Sequence, residues 1–221
     1  MDISENSESI ERIYIRRLPH IQTADKPIFL TWRLAFSIPQ TIMEEMARRK
    51  KEFDQKIEKL STDYKNMQLY QFNKEQFLHY DNKLADIRFP DLLKREEIAK
   101  AVIEALEYYQ NKRYILLSYC IMPNHVHTVF QLQKESNGEI YSLAKITQNW
   151  KRYSAKQINN ILNKEGSLWQ AENYDHIIRN EKEFAFYIEY TLENPVKARL
   201  VNKWTDWKYS WLNPEIKLES Y

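Results

Sequence analysis

The chain has 221 residues, 43% of them hydrophobic and 14% aromatic, which predicts one globular domain with a full core. Its formal net charge is +2, so charge alone neither indicates nor excludes a nucleic-acid partner. The single cysteine, Cys120, excludes an internal disulfide and favours a cytoplasmic location. With only two glycines, the chain has no glycine-rich phosphate loop. No apolar run is long enough to span a membrane.

The first third of the chain predicts a tail, a strand and a helical segment. Residues 1–12 are polar and are expected to form a disordered tail, which leaves residues 13–221 as a single domain. Residues 27–34 are aromatic and β-branched, as in a strand. Residues 40–82 are charged and glycine-free, and one stripe of apolar residues runs through residues 53–67 at alternating spacings of four and three. This pattern predicts a helical insertion or helical hairpin. Three roles are possible for this segment: a solvated helix without chemistry, a dimerisation element, or a DNA contact.

The rest of the chain alternates between helical and strand patterns. The predicted elements are a helix at 94–109, strands at 114–122 and 125–132, a helix at 141–164, a short strand at 168–179 and a helix at 181–193 that ends before Pro195. Without the insertion, the order is βαββαβ followed by a helix. It predicts an α+β protein with a ferredoxin-like antiparallel sheet, helices on one face and a C-terminal helix.

Two of the five histidines stand one residue apart on a predicted strand. Side chains alternate along a strand, so His125 and His127 point to the same side and can reach one ion. Two imidazoles do not complete a metal site, and ordinary structural histidines are the alternative.

The last predicted helix carries a tyrosine and an amide on one face. Tyr190 and Asn194 are four residues apart, so a site that holds the phenol also receives the amide oxygen. Beside a cation, a phenol becomes a better nucleophile towards phosphorus. The alternative is that Tyr187 and Tyr190 are core aromatics, and Pro195 biases Asn194 away from helical geometry.

Three segments together resemble a known family. They are MPNHVH at 122–127, WKRYSAKQINNIL at 150–162, and the stretch from LWQAENYDHII to YTLENPVKARLV at 168–201. They resemble the single-tyrosine HUH transposases, also called IS200-like transposases, and especially their REP-associated branch. The resemblance implies a metal held by His125 and His127, with Asn194 as third ligand, and Tyr190 as the nucleophile, with Tyr187 in reserve.

The resemblance also implies a reaction and its partners. The substrate would be single-stranded DNA folded into a hairpin, cut through a 5′-phosphotyrosine and rejoined without ATP. Mg²⁺ or Mn²⁺ suits a site of imidazole and oxygen ligands with open positions. A replication-initiator-like nickase and a hairpin-binding protein without cleavage are the alternatives, and a homodimer is left open. The family commonly has glycine where this chain has Arg199, so the turn there is expected to differ.

A basic segment beside aromatic residues is the predicted DNA-binding surface. Residues 141–164 contain five basic residues and no acidic ones. Lysine and arginine neutralise phosphates, and aromatic rings stack with bases. The predicted DNA contacts are Lys145, Lys151, Arg152, Lys156 and Trp169. The alternative is an ordinary solvated helix face.

Overall fold

The structure is a computed structural model that describes residues 12–15, 19–22, 24, 26–35, 37–85 and 91–217. The expected disordered tail lies outside these residues, apart from Arg12. None of the described helices combines the length and the apolar character that a bilayer span requires.

The core is a five-stranded antiparallel sheet in the order β6-β3-β5-β4-β7. Its strands are β3 (Pro27–Arg33), β4 (Tyr114–Ile121), β5 (His125–Leu132), β6 (Tyr174–Ile177) and β7 (Ser210–Leu212). Two further strands, β1 (Arg12–Ile15) and β2 (Pro19–Gln22), form a separate antiparallel pair.

The described residues also form five α-helices. They are α1 (Gln40–Ile57), α2 (Thr62–Ala85), α3 (Glu96–Glu107), α4 (Leu143–Leu162) and α5 (Glu181–Lys197). Without α1, α2 and β7, the order is β3-α3-β4-β5-α4-β6, and these four strands have the 4-1-3-2 spatial order of a ferredoxin-like sheet. The predicted fold class is therefore confirmed, and the insertion after the first strand is a pair of helices.

The two faces of the sheet carry different layers. On one face, Trp32, Val126 and Phe130 join the main core, to which α3 and α4 contribute residues such as Val102 and Trp150. On the other face, Phe29 and Val129 pack with residues of α5 and with Phe77 of α2. Because α5 and α2 lie on this second face, the residues that point there from β3 and β5 are enclosed between sheet and helices.

The prediction that the last helix ends before Pro195 is wrong. Helix α5 continues to Lys197 and includes Asn194 and Pro195. Inside a helix, proline removes one hydrogen bond and crowds the carbonyl four residues earlier, at a cost of about 3 kcal/mol. Pro195 and Asn194 are both buried, and we attribute the continuation of the helix to this packing. Arg199 then adopts φ +56°, the left-handed conformation that glycine adopts most easily, and Leu200 N–H donates to the carbonyl of Pro195 at 2.9 Å.

Three other elements differ from the prediction. The strand predicted at 168–179 is limited to β6, because residues 170–173 form a loop along the edge of the sheet. The short strand β7 and the β1–β2 pair were not predicted. Strands of three or four residues contain too little alternation to be recognised from sequence.

Candidate active site with a histidine, aspartate and tyrosine cluster

The two histidines of β5 lie side by side in a buried position. Their Nε2 atoms are 2.9 Å apart, and His127 is fully buried. The Nδ1 atom of His125 is 2.6 Å from Asn124 Oδ1, and that of His127 is 2.6 Å from Thr31 Oγ1. Each ring is thus held through Nδ1, which is how metal-binding histidines are commonly oriented while Nε2 serves as the ligand.

Strand β3 adds a cation to the same face. In the register of β3 and β5, Thr31 lies opposite His127 and Arg33 lies opposite His125. Arg33 is 8% exposed, and it therefore needs a buried partner for its charge.

That partner is Asp81, which the sequence reasoning missed. Asp81 lies near the end of α2, is 5% exposed, and accepts a hydrogen bond from Arg33 Nη2. Its Oδ2 is also 3.7 Å from Nε2 of His127. The helical insertion therefore contributes a carboxylate to the site, although no role was assigned to it. A lone aspartate in a charged helix has no sequence signal that distinguishes it from its neighbours.

The phenol of Tyr190 reaches this cluster from α5. Its hydroxyl donates to Asp81 Oδ2, and its ring centroid is 5.7 Å from that of His127. The ring is 5% exposed, and the ammonium of Lys197 lies 4.6 Å from the ring centroid. The structure thus brings the predicted nucleophile and the histidine pair together.

Asn194 and Tyr187, the other two predicted site residues of α5, occupy different surroundings. Asn194 is buried next to Tyr190, and its Nδ2 donates to the carbonyl of Tyr190 at 2.9 Å. It also lies close enough to His127 to influence that imidazole. The ring of Tyr187 packs against His176, with centroids 4.6 Å apart, and so lies on the side of a different histidine.

Burial controls the protonation of the cluster. It lowers the pKa of His125 and of His127 well below the ordinary value, and the positive charge of Arg33 lowers both further. Both imidazoles are therefore neutral at pH 7, as metal ligands must be. Burial also raises the pKa of Tyr190 above its ordinary value, while Arg33 opposes this rise. The phenol therefore keeps its proton unless an acceptor or a cation lowers its pKa.

The donor set fits a divalent cation. Asp81, His125 and His127 each present one ligand atom, and these atoms lie within 4.8 Å of one another. Two imidazole nitrogens and one carboxylate oxygen form an open ligand set that leaves positions for a substrate. Arg33 competes for the carboxylate, so a cation has to share Asp81 with the guanidinium.

Four of the five predicted DNA contacts lie on α4, on the opposite face of the sheet from the histidines, and Trp169 lies in the segment that follows this helix. Lys145, Arg152 and Lys156 are exposed. Lys151 donates instead to the carbonyls of the loop at 170–172, at 3.1 to 3.3 Å. Trp169 is 5% exposed and donates to Ser154 Oγ at 3.0 Å, so its ring belongs to the core and offers no free face for a base.

Comparison with known proteins agrees with the sequence resemblance. Residues 91–190 match the family model described as "Transposase IS200 like", a segment that includes both histidines and Tyr190 but not α1 and α2. A Haemophilus influenzae protein named as a REP-associated tyrosine transposase is 28% identical over 130 residues, which cover 57% of this chain and 72% of that protein. The REP-associated tyrosine transposase of Escherichia coli K12 is 23% identical over 99 residues, or 45% of this chain and 54% of its own length.

A solved structure of a REP-associated tyrosine transposase bound to a REP hairpin covers 89% of this chain and 81% of its own chain, with 16% identity and a TM-score of 0.47. A likeness this distant carries no conclusion about the site. The family model matches the segment that contains the histidine pair and Tyr190. The middle of the chain is therefore similar to the IS200-like transposases, and to the two named REP-associated tyrosine transposases, in agreement with the predicted resemblance.

Proposed function

We propose that this protein is a tyrosine transposase that cuts and rejoins single-stranded DNA beside a hairpin. One observation carries the proposal: the Tyr190 hydroxyl, the two Nε2 atoms of the histidine pair and the Asp81 carboxylate meet in one buried cluster. The relatives named as tyrosine transposases support the same reaction class.

In this proposal, His125, His127 and Asp81 hold Mg²⁺ or Mn²⁺. Asp81 takes the place that the resemblance gave to Asn194, since it offers a carboxylate where Asn194 offers an amide, and hard cations prefer charged oxygen. Asn194 remains a candidate for a further position because it lies between Tyr190 and His127. When bound, the cation would polarise the scissile phosphate and favour the ionised phenol.

The chain's own residues position the nucleophile and its proton. Asp81 accepts the hydrogen bond of Tyr190, so the phenol proton has an acceptor as the oxygen attacks phosphorus. The Tyr190 oxygen forms a bond to phosphorus and the bond from phosphorus to the 3′-oxygen breaks. Asp81 passes the phenol proton to solvent, and the leaving 3′-oxygen takes up one proton to become a hydroxyl. Attack by a 3′-hydroxyl on the phosphotyrosine then joins the strands and restores the phenol. One phosphodiester is exchanged for another, so no external energy source is needed.

We propose the exposed basic residues of α4, Lys145, Arg152 and Lys156, as phosphate contacts for the hairpin. Lys151 and Trp169 are weaker candidates, because the first holds the loop at 170–172 and the second is buried. The contacts of α4 would therefore be largely electrostatic.

The proposal is tested with a labelled single-stranded hairpin DNA and Mn²⁺. The wild-type protein should form an adduct that survives denaturation, Tyr190→Phe should form none while still binding the hairpin, and EDTA should abolish the adduct. Tyr187→Phe is the matched control, since it removes a buried hydroxyl from the same helix without touching Asp81. An adduct in Tyr190→Phe, or full cleavage in EDTA, would contradict the assignment.

A hairpin-binding protein that does not cut is the second candidate. The observation in its favour is that Tyr190 is only 5% exposed and that Asp81 of α2 holds its hydroxyl. In the same experiment, this candidate predicts retention of the hairpin with no adduct in any metal.

A further inference from the structure

A cavity of about 390 Å³ lies between the helical insertion and the edge of the sheet. One wall is formed by α1 and α2, and the opposite wall by the end of β3 and the loop at 170–173. This volume is in the range of small-ligand sites. The cavity is separate from the basic surface of α4, and the proposed cleavage mechanism does not use it.

The cavity adjoins the candidate active site, because Arg33 and Asp81 line both. Arg33 uses Nη2 to bind Asp81, but its Nη1 is buried and has no hydrogen-bond partner among the described residues. Since an unpaired buried donor costs about 1 to 3 kcal/mol, an acceptor at this position would relieve a real penalty. Arg33 therefore carries an unpaired, covered donor beside the cavity, at the end nearest the catalytic cluster.

Flat aromatic rings form part of the wall. Phe77 stacks on Tyr174, with centroids 4.0 Å apart and an angle of 9° between the rings. The ring of Phe77 also lies 6.2 Å from that of Tyr190, so the aromatic surface runs from the cavity to the nucleophile. Two further residues with side-chain amides, Asn73 and Gln76, line the same space.

This combination of groups is typical of nucleobase recognition. Aromatic rings stack with any base, and amide and guanidinium groups bind the acceptors and donors on base edges. Enzymes that act on unpaired DNA commonly hold a base outside the stack in such a pocket. An apolar ligand would leave the Arg33 donor unpaired, and a free phosphate would gain nothing from the aromatic wall.

We propose that this cavity binds one unpaired nucleobase of the DNA strand, from a nucleotide next to the phosphate that Tyr190 attacks. On binding, the guanidinium of Arg33 turns toward the cavity so that Nη1 donates to an acceptor on the edge of the base, and Phe77 and Tyr174 supply the apolar wall. The inference rests on the proposed function, since it takes single-stranded DNA as the substrate. It gives the helical insertion a task in choosing where the strand is cut.

The test is a scan of abasic sites along the single-stranded part of the hairpin substrate, with affinity measured by fluorescence anisotropy in EDTA. One position should weaken wild-type binding by about 10-fold, because stacking of one base contributes on the order of 1 to 3 kcal/mol. A scan in which every position changes affinity by less than about twofold would overturn the proposal.

A variant that narrows the cavity locates the effect. Ala47 of α1 is exposed and lines the cavity, so Ala47→Trp fills space there without removing a core contact. In Ala47→Trp, the abasic site at the sensitive DNA position should no longer weaken binding. Met43→Trp is the control, because Met43 is on the same helix, is 44% exposed and does not line the cavity. In this control, the abasic site should weaken binding as it does in the wild type. Equal sensitivity in Ala47→Trp and the wild type would place the base elsewhere.

The two proposals fail differently. If the protein forms the tyrosine adduct but no abasic site matters, the cavity proposal is wrong and the proposed function stands. If one position is sensitive but no adduct forms in Mn²⁺, the base site stands in a protein that binds and does not cut.

Discussion

The ion pair between Arg33 and Asp81 should couple the helical insertion to the sheet. The two side chains are 9% and 4% exposed, and burial lowers the pKa of Arg33 only to about 10, so the guanidinium is charged at pH 7. Asp81→Asn keeps the shape but removes the charge that compensates Arg33. Removing one partner of a buried ion pair costs about 3 to 5 kcal/mol, so the free energy of unfolding should fall by about 3 kcal/mol.

The measurement is urea unfolding in EDTA of Asp81→Asn, Arg33→Met and the double variant. Because the double variant leaves neither charge alone, its loss should be smaller than the sum of the single losses by about 2 kcal/mol. Asp54→Asn is the control, since the exposed pair of Lys50 and Asp54 should contribute less than about 1 kcal/mol. Additive losses, or an Asp81→Asn variant as stable as the Asp54 control, would refute this account of the pair.

Two further predictions concern pH and salt. Burial lowers the pKa of His176 from 6.5 to about 4. As the pH falls, His176 is therefore protonated in the unfolded state before it is protonated in the folded state. The free energy of unfolding should thus decrease between pH 7 and about 5. The contribution of His176 to this decrease is about 2 kcal/mol by pH 5. In urea unfolding, the free energy of unfolding of His176→Gln should therefore depend less on pH than that of the wild type. An unchanged pH dependence would contradict the burial argument. Arg152→Ala and Lys156→Ala should each weaken hairpin binding and reduce the slope of log affinity against log salt by about 0.7 to 0.9, while Lys51→Ala on α1 should not. Equal slopes in all three variants would show that α4 does not contact phosphate.

The core of the fold was predictable because its signals are long and regular. The buried strand β4 and its neighbour β5 have eight residues each, and the Pro123-Asn124 turn separates them clearly. The insertion was recognised as helical, but one stripe was followed through residues 53–67, where the chain actually turns between Ile57 and Thr62. Tyr64 and Met67 are consequently 48% and 54% exposed, because the stripe changes its partner at the turn.

The site was predictable where its residues share one element and not where they converge from several. His125 and His127 are fixed to one face by the period of a strand, and Tyr190 and Asn194 by the period of a helix. Asp81 enters the site from α2, and only the packing of that helix against the sheet brings its carboxylate to Arg33 and Tyr190. Tertiary packing of this kind is not encoded in any local spacing.

The most direct test of the central claim is to map the covalent link between protein and DNA. The wild-type protein is allowed to react with the hairpin in Mn²⁺, digested with nuclease and protease, and the peptide that carries a nucleotide is sequenced by mass spectrometry. The account predicts that the nucleotide is on Tyr190, the residue whose hydroxyl contacts Asp81 beside the histidine pair. A nucleotide on Tyr187 or on a residue outside α5 would contradict it.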